Sequence, residues 1–124
     1  MDSFGDVRRR VLVVDDNPEV ADALGLLLEA LGHEARILYG GIDAVGAVQE
    51  FHPDVVFLDL GMPDVDGFDI ARALRRLPER KEMTVVALTG YGDETLGESV
   101  QEAGFDHHLL KPAEADTLRS ILCR

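Results

Sequence analysis

Val55-Val56-Phe57-Leu58-Asp59-Leu60-Gly61-Met62-Pro63 changes character at one residue. The first four side chains are apolar, with two β-branched and one aromatic, as expected of a strand buried on both faces of a parallel sheet. A carboxylate follows at once. A loop with Gly61, Pro63 and Gly67 then leads into Phe68, Ala71, Leu74 and Leu77, which recur at helical spacing.

The same alternation runs in both directions from this stretch. Upstream, Val11-Leu12-Val13-Val14 is a second buried-strand run. Asn17 is placed to cap, and Pro18 to open, a helix carrying the stripe Leu24, Leu27, Leu28 and Leu31, closed by Gly32. That stripe is ordinary core, too short for a zipper. Ala35 to Leu38 reads as a strand, and Gly40-Gly41 breaks into a helix with Ala44, Val45 and Val48. Downstream, Thr84 to Leu88 and His107 to Leu110 give two more strands. A weaker helix ends near Ala103-Gly104, and Leu118, Ile121 and Leu122 lie on the last one. Five βα units with right-handed crossovers predict a doubly wound α/β domain: a parallel sheet with helices on both faces, in the flavodoxin-like order 2-1-3-4-5.

Size and composition agree with one such unit. The chain has 124 residues, 46% of them hydrophobic, enough for a single core. Residues 1–8 read as an N-terminal tail and residues 9–124 as the domain. No apolar run approaches the roughly 20 residues of a membrane span, so no membrane association is expected. The formal net charge of −12 opposes direct binding to nucleic acid or anionic lipid. Cys123 is the only cysteine, which precludes an internal disulfide and makes a cytoplasmic location the default. His33 and His52 flank helix ends and read as surface residues. His107 and His108 adjoin in a strand, point oppositely and do not make a metal site.

Ligands of open parallel sheets bind beyond the carboxyl ends of the strands. Asp15 and Asp16 follow the first strand, Asp59 the third, Thr89 the fourth and Lys111 the fifth. In a parallel sheet these gather at one edge. Two unit charges about 4 Å apart repel by about 4 kcal/mol at an effective dielectric near 20. Lys111 offsets part of this and leaves an excess of about two negative charges, which suits a hard divalent cation; magnesium, content with few carboxylates plus water and phosphate oxygens, fits best. A carboxylate beside such a cation can attack phosphorus, with the lysine and hydroxyl stabilising the transferred group. Asp64 and Asp66, beside Gly67, read as loop formers.

Four blocks carry a family resemblance: Val13-Val14-Asp15-Asp16-Asn17, Leu58-Asp59 through Met62-Pro63 to Asp66-Gly67, Leu88-Thr89-Gly90, and Leu110-Lys111-Pro112. Together, in this order, the chain resembles bacterial response-regulator receiver domains of the CheY-like type from about Arg9 onwards. Ala103 to Pro112 looks most like receivers associated with hybrid sensor kinases. The resemblance implies that Asp59 accepts a phosphoryl group from a phosphohistidine on a sensor histidine kinase or histidine phosphotransfer protein. It implies Mg2+ held by Asp16, Asp59 and the Gly61 carbonyl, with Asp15 acting mainly through water. Thr89 and Lys111 would bind the phosphoryl oxygens, and the Lys111-Pro112 bond would be cis. Such a domain is a phosphoacceptor switch and not an enzyme with turnover on other substrates.

The sequence departs from that family at one switch position. Three residues before the lysine the family usually has Tyr or Phe; here it is His108. Thr89 and His108 are the expected switch pair, and the imidazole could add pH sensitivity. Gly61 and Tyr91, each two residues past a site residue, are expected to set the phosphoryl lifetime. Three other functions fit the sequence less well. A phosphohydrolase would want a second carboxylate where Gly61 stands. A flavin carrier would be repelled by Asp15-Asp16. A scaffold that is never phosphorylated would have no use for the full acidic set. Nothing after Leu122 reads as a helix-turn-helix or an effector enzyme. The expected output is therefore protein contact or onward phosphotransfer, from a stand-alone receiver or part of a hybrid protein. Monomer and weak dimer both remain open.

Overall fold

The structure, a computed structural model, describes residues 8–63, 65–78, 82–90 and 97–122. The elements run β1 (Arg10–Val14), α1 (Pro18–Ala30), β2 (Glu34–Leu38), α2 (Ala44–Phe51) and β3 (Val55–Asp59). They continue α3 (Gly67–Arg75), β4 (Thr84–Thr89), α4 (Gly97–Glu102), β5 (His107–Leu110) and α5 (Ala115–Leu122). All pairings are parallel and the order is β2-β1-β3-β4-β5, the doubly wound flavodoxin-like fold anticipated from the alternating pattern.

The strand pleat divides the core into two layers. Val11 and Val13, Val55 and Phe57, and Val86 and Leu88 face one way, against Leu24 and Leu28 of α1 and Leu118, Ile121 and Leu122 of α5. Leu12 and Val14, Val56 and Leu58, and Val85 and Ala87 face the other, against α2, α3 and α4 through Val48, Ala71, Leu74 and Val100. This is why the central strands are apolar through their interiors and polar only at their ends, while edge strand β2 is only half-buried.

Local chemistry sets the helix ends. Asn17 Oδ1 accepts from the Glu19 and Val20 backbone N–H groups, with Pro18 in the first turn of α1. Asp66 does the same for α3 through Phe68 N at 2.9 Å, the loop-forming role expected of it. His33 does not lie on the surface. It is buried, and its Nδ1 accepts from Arg9 N at 3.0 Å, because the turn at Gly32 folds the ring back against the start of β1. His52 is exposed, in a left-handed conformation at the end of α2. Asp64, Tyr91 and Cys123 lie outside the described residues.

Candidate functional site

In the order β2-β1-β3-β4-β5 the chain reverses direction across the sheet between β1 and β3, and a crevice opens at their carboxyl ends. Asp15 leaves β1 with its backbone N–H bonded to Leu38 O of β2 at 3.1 Å. Asp59 is the last residue of β3. Leu60 N binds Leu88 O at 3.0 Å and Lys111 N binds Thr89 O at 2.9 Å, so the strand ends stay in register past the ladders. Gly67 permits close packing behind Asp59. A Cβ there would stand 3.3 Å from Asp59 O and 2.7 Å from Leu60 Cδ2.

Residues distant in sequence converge on this edge. One carboxylate oxygen each of Asp15, Asp16 and Asp59 lies within 4.8 Å of the others. Asp15 and Asp59 are buried, and Asp16 faces solvent. Lys111 Nζ stands 2.9 Å from Asp15 Oδ2 and 3.0 Å from Asp59 Oδ1. Backbone donors complete the arrangement: Asn17 N to Asp15 Oδ1 at 3.0 Å, and Gly61 N to Asp59 Oδ1 at 2.9 Å. Asp59 Oδ1 thus has two donors, and among the described residues none reaches its Oδ2.

One ammonium cannot serve two buried carboxylates fully. Asp15 Oδ2 is buried without a hydrogen bond of good geometry, so its contact with Lys111 is an ion pair and no more. Burial raises the Asp15 carboxyl above its ordinary range, and the charge of Asp59 adds to this. The Asn17 N–H and Lys111 oppose it without cancelling it. For Lys111 the balance is reversed: burial pulls its ammonium down, but the contacts with Asp15 and Asp59 outweigh it and the net shift is upward. The two shifts do not mirror each other because the lysine has two acidic partners, whereas Asp15 has one cation and an anionic neighbour.

A buried carboxylate oxygen without a well-formed hydrogen bond beside an exposed carboxylate, all ligands being oxygens, is the donor set of a hard divalent cation and fits magnesium. Asp15, Asp16 and Asp59 are the side chains that could hold it.

Thr89 is buried at the end of β4, and its hydroxyl binds none of these acids. It lies 2.8 Å from His108 Nε2, with Leu109 O farther off at 3.5 Å. The β4–β5 register explains the contact. Leu110 pairs with Thr89 and His108 with Ala87, so Thr89 and His108 are diagonal neighbours on one face. The sequence shows both residues but not this hydrogen bond, which depends on that register. It also gave no sign of the Asn17 N–H aimed at Asp15. The Lys111–Pro112 peptide is cis.

Two of the clefts among the described residues flank the edge. One of about 340 Å³ lies beside Asp16, between Tyr39, Ile42, Met62 and Val65. The other, about 410 Å³ and mostly apolar, runs from Lys111 and Pro112 along Val20, Leu24 and Leu27 of α1.

Comparison with known proteins agrees with this geometry. Residues 11–123 match the response regulator receiver domain. The DNA-binding response regulator MtrA of Mycolicibacterium smegmatis is 37% identical over 106 residues, which cover 86% of this chain and 45% of that protein. The signal transduction histidine-protein kinase BarA of Shigella flexneri is 31% identical over 114 residues, 92% of this chain and 12% of that one. The chain therefore spans less than half the length of these relatives. Among solved structures, a CheY-like response regulator receiver domain from Methylobacillus flagellatus superposes with a TM-score of 0.83 at 35% identity, covering 94% of this chain and 97% of the other. No described helix is long and apolar enough to cross a membrane. The acidic edge, the sheet order and the matched sequence lead to one assignment: this chain belongs to the response regulator receiver domain family of two-component signalling.

Proposed function

We propose that Asp59 is the phosphoacceptor of a two-component phosphorelay and that residues 9–124 form the working unit, preceded by a tail over residues 1–8. The observation that carries this reading is the Lys111 ammonium between the buried carboxylates of Asp15 and Asp59, at 2.9 and 3.0 Å, beside the exposed Asp16.

The donor is a phosphohistidine of a sensor histidine kinase or histidine phosphotransfer protein. Asp59 attacks phosphorus through Oδ2, the oxygen not taken by Lys111 and the Gly61 N–H. The P–N bond breaks as the O–P bond forms, and the leaving imidazole nitrogen keeps the electron pair. Asp15, Asp16, Asp59 and the Gly61 carbonyl would hold Mg2+, whose charge offsets that of the carboxylates and the incoming phosphoryl oxygens. Lys111 exchanges part of its contact with Asp15 for a phosphoryl oxygen, and Thr89 donates its hydroxyl to another. The apolar cleft along α1 gives the donor protein a seat beside Lys111.

The switch is the movement of Thr89 and its partner His108. Output passes through protein contact or onward phosphotransfer. A net charge of −12 disfavours direct contact of this domain with nucleic acid. The chain is a switch that supports its own phosphorylation and dephosphorylation, with no turnover of other substrates.

Labelling from a small-molecule phosphodonor tests the reading. Incorporation should require Mg2+, should be acid-stable and base-labile as an acyl phosphate is, and should vanish in Asp59→Asn. Label retained by that variant would place the acceptor elsewhere.

A further inference from the structure

The hydroxyl of Thr89 has one proton and two acceptors nearby. His108 Nε2 at 2.8 Å is within normal bonding distance, whereas Leu109 O at 3.5 Å is too far for a good O–H···O bond. Where the hydroxyl donates to the nearer of the two, Nε2 is the acceptor and the neutral imidazole carries its own proton on Nδ1. A Tyr or Phe at this position could not hold Thr89 in this way, because neither offers a basic ring nitrogen.

We propose that His108 is a proton-coupled positioning residue, whose Nε2 changes from acceptor to donor when Asp59 is phosphorylated. The inference rests on the function proposed above. The phosphoryl group claims the Thr89 proton as a hydrogen-bond donor, and Thr89 Oγ1 then has only lone pairs to offer His108. The bond survives only if Nε2 carries a proton. That proton comes from solvent, and Nδ1 keeps or releases its own. No covalent bond between heavy atoms changes. The result is a chain from Nε2–H to Thr89 O–H to the phosphoryl oxygen, which reads phosphorylation out as a protonation state on β5.

His108 is half-buried and opens on a shallow cleft in which Lys111 and Glu114 are the charged side chains, one of each sign.

Nitrogen NMR of imidazole-labelled protein, with and without Mg2+ and beryllofluoride as the phosphoryl mimic, tests this. Nε2 of His108 should show an acceptor shift in the resting protein and a protonated shift in the loaded one. In Thr89→Val brought to full beryllofluoride occupancy, checked by fluorine NMR, the change should be absent, since no hydroxyl remains to connect the groups. A protonated Nε2 in the resting protein, or an unchanged Nε2 in the loaded wild type, overturns the inference and leaves the phosphoacceptor role of Asp59 intact. A change that persists in Thr89→Val also overturns it, because the charge of the mimic would then act without the relay. Failure of beryllofluoride to bind wild type, with no label on Asp59 from a phosphodonor, removes the underlying reading and this inference with it.

Discussion

Asp15 and Lys111 form an unequal pair: the carboxylate is fully buried, the ammonium is partly solvated, and their 2.9 Å contact is shared with Asp59. The acid is thus charged at some cost in the metal-free protein. Its burial costs the fold stability, which fits the ligand role proposed for it.

Asp15→Asn should therefore stabilise the metal-free protein while abolishing its function. Removing one buried negative charge leaves Lys111 to Asp59 and keeps an acceptor for the Asn17 N–H. A gain of about 1 kcal/mol would raise Tm by about 3–5 °C for a domain of this size. Calorimetry in chelator checks the gain, and phosphodonor labelling should fall at least tenfold. A drop in Tm would mean that the Asp15–Lys111 pair is net stabilising.

The same residue gives a pH signature. The folded-state carboxyl of Asp15 titrates above its unfolded value of 3.8, so between the two the folded protein binds more protons than the unfolded one. Its penalty is absent below 3.8, grows as pH rises through the raised value and is complete above it. For Lys111 the folded value lies above 10.5, and its contribution is present below 10.5 and lost as pH climbs past the folded value. In chelator, the stability difference between Asp15→Asn and wild type should widen as pH rises from about 4 toward neutrality. Denaturant titrations at each pH measure it. A constant difference would exclude a raised Asp15.

Magnesium should stabilise the fold and do so through the acidic trio. At a free concentration ten times its dissociation constant the gain is about 1.4 kcal/mol. The shift in Tm should shrink in Asp16→Asn and Asp59→Asn alike. An undiminished shift in both variants would place the ion elsewhere.

Gly61 has no side chain to shield the proposed acyl phosphate of Asp59 from water. A Cβ added there would sit 3.5 Å from Asp59 Oδ1, an ordinary contact, so a side chain is tolerated and lands beside the reactive group. Gly61→Leu should slow the decay of phospho-Asp59 several-fold with little change in Tm. Decay measured after removal of the phosphodonor decides it, and an unaltered rate would end the role given to this position.

Arg75 should matter for stability alone. Its guanidinium donates to Gly104 O at 2.8 Å, to Met83 O at 2.6 Å and to Asp106, tying α3 to the strand ends opposite the phosphoacceptor edge. Arg75→Ala leaves partly buried acceptors without these donors and should cost about 2–3 kcal/mol. Chemical denaturation gives the loss, while labelling at Asp59 should match wild type below the unfolding transition.

Most of the fold was legible because the central strands are buried on two faces and cannot tolerate a polar residue until they end. Val55 to Leu58 therefore marked both the strand and, at Asp59, the site. The expected β2 began one residue late, at Ala35 and not Glu34, because an edge strand mixes polar and apolar positions and blurs its own start. The acids were visible as a set, and parallel topology was enough to bring them together. The Thr89–His108 bond was not visible, since it depends on which residue of β5 pairs with which of β4. His33 was misjudged for a related reason: its partner is a backbone N–H of Arg9, which no side-chain pattern reveals.

The pleat that sorts the core into two layers also separates traffic. Thr89 shares its face with Val85 and Ala87, on the α4 side, whereas the apolar one of the clefts beside Lys111 lies along α1, across the sheet. A donor protein seated on α1 and a listener reading the far side of β4 and β5 would occupy different ground. Receipt and broadcast of the signal could then overlap in time, with neither visitor having to leave for the other to arrive.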